Sequence, residues 1–313
     1  MAAITASLVK ELREITGAGM MDCKKALQET DGNIEEAIEY LRINGQAKAE
    51  KKASRIAAEG LVMADVENDK SAAIVEVNSE TDFVAKNAEF QQFVKCVAKQ
   101  ALNTSCGTVD ALLGEAWNDD PSKTVQEALV EKIATIGEKI DIRRFAQIKT
   151  DGCVVSYIHG GGRIGVLVAA DTDVVNDEIR TMLKNIAMQV AAMSPKYISD
   201  ADVDSEYLAH EKSILFEQAK AENAELPEKK QKPEHIIEKM VDGRLKKELK
   251  EVCLMDQVYV QNTDLSVGQY VDITSKDNNA NLKITEFIRF ETGEGIEKKQ
   301  EDFAAEVAAQ LSK

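Results

Sequence analysis

The sequence contains few of the residues from which metal sites, disulfide frameworks and base-stacking surfaces are built. Its 313 residues include three histidines and five cysteines, and aromatic residues make up only 5% of the chain. The cysteines are widely scattered, at Cys23, Cys96, Cys106, Cys153 and Cys253. An odd and dispersed set of this kind provides neither paired disulfides nor ligands at zinc spacing. We therefore expect no metal site, no cofactor and a reducing, cytoplasmic environment.

Long apolar runs and positive charge are also scarce. No stretch approaches 18 uninterrupted apolar residues, and Glu11 and Glu14 lie too early for a signal peptide, so we expect no membrane span. The 39 lysines and arginines are outnumbered by 55 aspartates and glutamates, which leaves a net charge of −16. This acidity, with so few aromatic rings, argues against direct contact with nucleic acid. Apolar residues still make up 44% of the chain, enough for two or three folded domains.

The first fifty residues have the pattern of three short helices. Leu8, Leu12 and Ile15 recur on one helical face, and Gly17 stands where a left-handed residue commonly ends a helix. Asp22 is placed to cap the second helix, and Asn33 follows a turn and is placed to cap the third.

The loop between the first two helices carries Met20 and Met21. Two adjacent methionines after a glycine-rich turn suit a docking loop for a partner protein, but they also suit the small core of a three-helix unit. We expect Met21 to fill that core and leave the role of Met20 open.

An internal repeat dominates the middle of the chain. Residues 61–77 alternate as two strands around Asn68-Asp69, which predicts a β-hairpin, and residues 153–169 form a second such pair around three glycines. Each hairpin is followed by Thr-Asp, an apolar residue and Val, and then by a helix with apolar periodicity. The repeat predicts two related α+β halves with antiparallel sheets, and the strand-like segment 284–290 completes the second half.

Residues 202–251 are charged and helix-prone, and Pro227 and Pro233 interrupt them. This pattern predicts an antiparallel helical hairpin, through which two copies of the chain could associate. Strand character returns at residues 258–260, and a terminal amphipathic helix carries Phe303, Val307 and Leu311. The predicted α+β fold thus comprises a three-helix domain (1–54), a first core half (55–145), a second core half (146–200 and 252–290), an inserted helical hairpin (201–251) and a C-terminal helical module (291–313).

The glycine-rich turn at residues 160–165 matches the spacing of a dinucleotide-binding motif. That motif requires a helix to begin at the last glycine, whereas Val166 and the residues after it continue as a strand. His159 precedes the glycines without a nucleophile or a paired carboxylate beside it in the sequence. No catalytic set emerges, and this favours a binding protein over an enzyme.

The segment Thr81-Asp82-Phe83-Val84-Ala85-Lys86-Asn87 allows two interpretations. If a helix already runs at residue 83, Phe83 joins Phe90 on the buried face. If Asn87 caps the helix instead, Phe83 lies in an irregular turn and projects outward beside Asp82. The spacing favours the buried arrangement and leaves the other open.

The sequence resembles the elongation factor Ts family over nearly its whole length. Two motifs carry most of the resemblance: Thr-Gly-Ala-Gly-Met-Met-Asp-Cys-Lys-Lys-Ala-Leu at 16–27 and Thr-Asp-Phe-Val-Ala-Lys at 81–86. Further matching segments lie at residues 8–13, 159–160, 163–168 and 293–297. The resemblance is weaker at residues 104–120, 221–233 and 252–282.

This resemblance implies a guanine nucleotide exchange factor for the GTPase elongation factor Tu, with a ubiquitin-associated-like N-terminal domain and a coiled-coil protrusion. It implies that Thr81, Asp82, Phe83 and Val84 act beside the partner's Mg²⁺ site. It also implies that the partner is bound by Met20, Met21, His159, Gly160 and Arg163. An alternative is a ubiquitin-associated-like adaptor without exchange activity, which leaves the repeat and the segment 81–87 without a role.

Overall fold

Three short helices begin the chain in the computed structural model, which describes residues 4–297. They are α1 (Ala6–Thr16), α2 (Met20–Glu29) and α3 (Ile34–Lys52). Gly17 ends α1 with φ 66°, and the Asn33 side chain accepts a hydrogen bond from the Glu36 backbone N–H at the start of α3. Both predicted boundaries are therefore confirmed.

Two predictions for the three-helix unit are wrong. Ile15 is 57% exposed, because Val9 rather than Ile15 packs beside Leu12 in the small core. Asp22 does not cap α2, since that helix already begins at Met20 and Gly19 occupies the cap position. Cys23, in contrast, is fully buried in the same small core.

The predicted repeat is confirmed as two three-stranded antiparallel sheets of the same strand order. The elements of the first half are β1 (Glu59–Glu67), β2 (Ser71–Ser79), α4 (Asp82–Ala85), α5 (Ala88–Asn103), α6 (Val109–Leu113), β3 (Ala116–Trp117), β4 (Asp120–Thr124), α7 (Val125–Ile136) and β5 (Ile140–Lys149). The sheet order is β1-β2-β5, and the short strands β3 and β4 pair separately. Asn68 and Asp69 both have positive φ in a tight hairpin turn, which is closed by a hydrogen bond from the Lys70 N–H to the Glu67 carbonyl at 3.1 Å.

The second half repeats this arrangement and carries the insertion. Its elements are β6 (Cys153–His159), β7 (Ile164–Thr172), α8 (Asp177–Met193), α9 (Ser205–Ala224), α10 (Glu234–Val252), α11 (Val267–Asp277) and β8 (Leu282–Glu291). The sheet order is β6-β7-β8. The three glycines at 160–162 all have positive φ and form a hairpin turn that leads into β7, so the turn does not open the helix that a dinucleotide site requires.

The two sheets pack against each other, and each is covered by one long helix. Val62 and Ile74 of the first sheet meet Leu167 of the second in a shared apolar layer. A Cβ atom on Gly165 would lie 2.4 Å from a Val62 methyl, so a glycine is needed where the sheets approach. Helix α5 covers the outer face of the first sheet and α8 that of the second. The result is a four-layered α+β core.

The predicted helical hairpin is confirmed by α9 and α10, which share a narrow apolar seam that includes Leu215, Ala219, Ile237 and Val241. The predicted strand at 258–260 is wrong, because only Val258 forms a β-bridge there, to a single residue across a turn. The predicted terminal helix with Phe303 lies outside the described residues. None of the helices between residues 4 and 297 combines the length and apolar character of a membrane span.

A buried carboxylate joins the first half to the segment that follows β8. Glu76 of β2 is fully buried and accepts hydrogen bonds from Arg143 at 3.0 Å, from Arg144 at 2.6 Å and from the Gly293 backbone N–H at 2.8 Å. Arg144 also stacks over the Phe290 ring, 4.2 Å from its centroid. Both arginines lie on β5, which is a strand of the first sheet.

The division of the chain into domains stays a prediction.

The burial of the cysteines predicts their reactivity. Burial raises the pKa of the Cys253 thiol to about 11 and also raises the pKa of Cys23 and Cys153, and all three are buried. Burial also raises the pKa of Cys96, but Cys96 and Cys106 are only partly buried, so we expect a disulfide reagent at pH 8 to reach and modify only these two in the native protein. All five cysteines should react after denaturation. Rapid reaction of a third thiol in the native protein would contradict this burial pattern.

Candidate functional site

Phe83 projects from the molecule on a short, capped helical turn. Thr81 caps α4 by accepting a hydrogen bond from the Val84 N–H at 3.4 Å, and Asn87 separately caps α5 by accepting one from the Phe90 N–H. The two caps interrupt the helical path, so Phe83 is 79% exposed while Phe90 is fully buried. The prediction that both rings share a buried face is therefore wrong, and the alternative in which Phe83 projects outward is confirmed.

The opposite side of α4 is anchored in the first core half. Val84 and Ala85 are buried and belong to the apolar cluster beneath α5. Ser79 donates a hydrogen bond to the Thr81 carbonyl at 3.1 Å, which ties the turn to the end of β2. An exposed ring on firmly anchored backbone is an arrangement typical of a contact residue.

Charge surrounds the exposed ring. Lys86 Nζ lies 2.6 Å from the Asp82 carboxylate and 5.9 Å from the centroid of the Phe83 ring. The hydrogen bond from Lys86 lowers the pKa of Asp82, so the carboxyl group is ionised at neutral pH. The turn therefore presents an aromatic ring, an anion and a cation within a single helical turn.

The second copy of the repeat lacks this projection. Its equivalent segment begins at Thr172, whose hydroxyl donates to the Val174 carbonyl and accepts from the Val174 N–H. Val174 packs against the core of the second half, and Asp173 accepts hydrogen bonds from Asn281. The two copies thus share a motif, but only the first directs a large apolar ring outward.

The N-terminal loop is also exposed. Met20 is 51% exposed and Met21 is 75% exposed, so the prediction that Met21 fills the small core is wrong. Cys23 and Leu27 of the same helix face inward instead, and the methionines lie on its other side. A groove of about 580 Å³ is lined on one side by Gly17 and on the other by Ala88, Glu89 and Gln92 at the start of α5. The loop therefore lies across a groove from the helix that follows the Phe83 turn.

The hairpin turn at residues 159–163 forms a third exposed feature. His159, Gly160 and Arg163 are exposed, and His159 Nδ1 lies 2.9 Å from the Tyr157 hydroxyl. Gly162 is buried, and its carbonyl accepts a hydrogen bond from the Val62 N–H at 2.7 Å. The turn is thus fastened to β1.

The Phe83 turn and the 159–163 turn lie toward the same end of β1. Glu59, at the beginning of that strand, pairs with Ser79, just before the Phe83 turn, and Val62 contacts the glycine turn. The structure therefore brings two of the three sets of predicted site residues to one end of a strand.

Sequence reasoning missed Glu138, which holds the Phe83 turn from below. Its two carboxylate oxygens accept hydrogen bonds from the Thr81 N–H at 3.0 Å and from the Thr81 hydroxyl at 2.8 Å. Its position after Gly137, which ends α7 with φ 87°, indicates a fixed backbone but not which residue it contacts.

Among residues 4–297, no group of three histidine, cysteine, aspartate or glutamate side chains has the arrangement of a metal site.

Comparison with known proteins identifies the family. A family model described as Elongation factor TS matches residues 80–294, more than half of the chain. Elongation factor Ts of Clostridioides difficile (strain 630) is 53% identical over 312 residues, covering 99% of this chain and all of the relative. The Clostridium perfringens (strain SM101) protein of the same name is 51% identical over 307 residues, which cover 97% of this chain and 98% of the relative.

The fold and these matches define a translation elongation factor that takes part in protein biosynthesis. The chain belongs to the elongation factor Ts family. The Phe83 turn, the glycine hairpin turn and three partners of Glu76 (Arg143, Arg144 and Gly293) lie within the matched stretch, whereas Glu76 itself precedes it.

Proposed function

We propose that the chain is a guanine nucleotide exchange factor that binds the GDP-bound form of elongation factor Tu and accelerates GDP release. The observation that carries this proposal is the exposed ring of Phe83 on a helix whose Val84 and Ala85 are buried. Burying such a ring against a partner is favourable by about 1.5–3 kcal/mol. The anchored backbone lets the partner, rather than this chain, yield to the contact.

The proposed mechanism acts on the metal in the partner. In such a GTPase, GDP is held by a phosphate-binding loop and by Mg²⁺, which neutralises the charge of the diphosphate. Phe83 enters beside the Mg²⁺ site, with Thr81 and Val84 holding its helix and Asp82 next to it. The ring shifts the helices that position the water shell of the metal. When Mg²⁺ leaves, repulsion between the phosphates is no longer screened and GDP dissociates.

The size of the effect requires a broad interface as well as the ring. An acceleration of about 10⁴ corresponds to a reduction of about 5.5 kcal/mol in the barrier to GDP release. One buried phenylalanine contributes less than this, so free energy from other contacts must be coupled to the distortion. We assign those contacts to Met20 and Met21 and, on a second surface, to His159, Gly160 and Arg163.

Displacement of the factor follows from thermodynamic linkage. If the factor weakens the binding of GDP by some ratio, then GDP must weaken the binding of the factor by the same ratio. GTP that enters the empty site can therefore expel the factor and complete a cycle. In this account the chain acts in the cytoplasm, forms no covalent intermediate, holds no cofactor or metal of its own and makes no direct contact with nucleic acid.

The experiment that tests this proposal follows fluorescent GDP preloaded on purified elongation factor Tu and chased with unlabelled GDP. We expect substoichiometric amounts of the protein to accelerate release, because each molecule is displaced and reused. Raising free GDP should raise the concentration of factor that gives half-maximal rate. Absence of acceleration would overturn the proposal, and binding without acceleration would favour the ubiquitin-associated-like adaptor instead.

A further inference from the structure

We propose that Glu138 is a positioning residue for nucleotide exchange, which holds Thr81 and thereby fixes the direction in which Phe83 projects. This inference rests on the proposed function and deepens it. Glu138 does not belong to the turn that carries the ring, and it lies 57 residues from Thr81 in the chain. It acts through Thr81.

Glu138 engages Thr81 in a two-point contact. One carboxylate oxygen accepts the Thr81 backbone N–H at 3.0 Å, and the other accepts the Thr81 hydroxyl at 2.8 Å. Hydrogen bonds to an ionised acceptor are stronger than those between neutral groups, and two of them fix orientation as well as distance. The residue at the start of α4 is therefore held in both position and rotation.

The contact also sets the cap of α4. The Thr81 hydroxyl gives its only proton to Glu138, so an oxygen lone pair is free to accept the Val84 N–H, which lies at 3.4 Å. Helix α4 has four residues, too few to be stable without its cap and its anchored side chains. Because Phe83 lies between Thr81 and Val84, its backbone is fixed at both sides by one hydroxyl group.

A second carboxylate reinforces the same attachment. Glu80 accepts a hydrogen bond from the Lys139 backbone N–H at 2.6 Å and forms an ion pair with Arg55 at 3.3 Å. The neighbouring residues 80 and 81 are thus joined to the neighbouring residues 138 and 139 by three hydrogen bonds. We call this attachment the carboxylate brace.

The brace extends from the helix that supports the N-terminal domain. A Cβ atom on Gly45 of α3 would meet Val130 and Ala134 of α7, so the two helices lie close together there, and Arg42 of α3 forms an ion pair with Glu127 of α7. Glu138 follows directly on the glycine that ends α7. Helix α7 therefore supports the three N-terminal helices along its length and the Phe83 turn at its end. Both features are held by one helix.

The brace explains how an exposed ring keeps a defined direction. Apart from a lysine 5.9 Å away, Phe83 has no aromatic or cation–π contact among residues 4–297 and is largely exposed, so the direction of its ring depends mainly on its backbone. Misplacement of a reacting group by about 1 Å can cost two orders of magnitude in rate. Loss of the brace should therefore lower the maximal rate of exchange without weakening the docking contacts.

The test measures GDP release from elongation factor Tu at increasing concentrations of each variant. We expect Glu138→Ala to lower the maximal rate about tenfold and to leave the half-saturating concentration unchanged. Glu138→Gln, which keeps one acceptor, should give an intermediate rate, and it also serves if the alanine variant fails to fold. Glu67→Ala, an exposed glutamate at the far end of β1, is the matched control and should behave as wild type.

A double-mutant cycle shows whether Glu138 acts through the ring. In a Phe83→Ala background, Glu138→Ala should cause no further loss, because the ring it positions is absent. The same loss in both backgrounds would overturn the proposal, as would an unchanged maximal rate or a rise in the half-saturating concentration alone.

Hydrogen exchange of the free protein separates this inference from the proposed function. Glu138→Ala should speed exchange at the amides of Thr81 and Val84, whether or not the protein accelerates GDP release. Unchanged exchange at these amides would overturn the brace. An inactive wild-type protein with faster exchange in the variant would overturn the proposed function alone.

Discussion

Replacing Phe83 with alanine is expected to lower the maximal rate of GDP release about a hundredfold, equivalent to about 2.7 kcal/mol. The ring is 79% exposed in the free protein, so most of its apolar surface is available to the partner. Stopped-flow release of fluorescent GDP at saturating factor measures this change directly. The half-saturating concentration should change little, because the loss of a contact that forms only during the distortion lowers the maximal rate and leaves ordinary binding unchanged.

Two controls make the Phe83→Ala result specific. Because the ring does not pack inside the protein, its removal should change the free energy of unfolding by less than about 0.5 kcal/mol. Ile273→Ala removes another exposed apolar side chain, on α11, which the proposed interface does not include. This control should leave release unchanged. An unaltered maximal rate in Phe83→Ala would contradict the proposed role of the ring.

The largest expected loss of stability follows from Glu76→Ala, at about 3–5 kcal/mol. The substitution leaves Arg143, Arg144 and the Gly293 N–H without the buried acceptor that all three share. Glu294 also pairs with Arg144 at 3.0 Å, but its side chain is half exposed, so it does not supply the buried acceptor that the substitution removes. Urea unfolding followed by circular dichroism measures the change.

Glu222→Ala is the control for this effect. Glu222 pairs with Arg244 at 2.6 Å on the helical hairpin, but the Glu222 side chain is exposed to water and Arg244 is only partly buried. An exposed pair of this kind contributes about 0–1 kcal/mol. A similar loss of stability in the two variants would contradict the account that burial, rather than ion pairing itself, makes Glu76 important.

Features determined by neighbouring residues were predictable from the sequence. Gly17 and Asn33 mark helix ends because their own backbone and side chain satisfy the terminal groups, and Asn68-Asp69 favours a turn for the same local reason. The repeat was also visible, since both copies preserve their order of hairpin, Thr-Asp motif and helix. These elements establish the α+β architecture without any knowledge of long-range contacts.

Periodicity failed where a cap interrupts a helix. Phe83 and Phe90 have the spacing of one helical face, but Asn87 ends that continuity by capping α5 between them. Met21 failed for a related reason, because α2 begins earlier than its nearest acidic cap candidate suggests, which turns the methionine outward. The cap lies at Gly19, three residues before Asp22, so both methionines belong to the helix itself, on the side away from the buried Cys23 and Leu27.

The contacts that position the site leave no local signal. Glu138 and Thr81 are 57 residues apart, and Glu76 and Gly293 are 217 residues apart. Glutamates are abundant in this acidic chain, and nothing in their immediate neighbours distinguishes these two from solvated ones. Only the pairing of β2 with β5 and the close approach of the two sheets bring them to their partners.

The dependence of GDP release on Mg²⁺ tests the central claim most directly. Wild-type protein and Phe83→Ala are compared on elongation factor Tu–GDP, first with excess Mg²⁺ and then with a chelator that removes it. If the ring acts by displacing the metal, the roughly hundredfold difference between the two proteins should shrink to a few-fold once the metal is gone. An equally large difference with and without Mg²⁺ would contradict the claim.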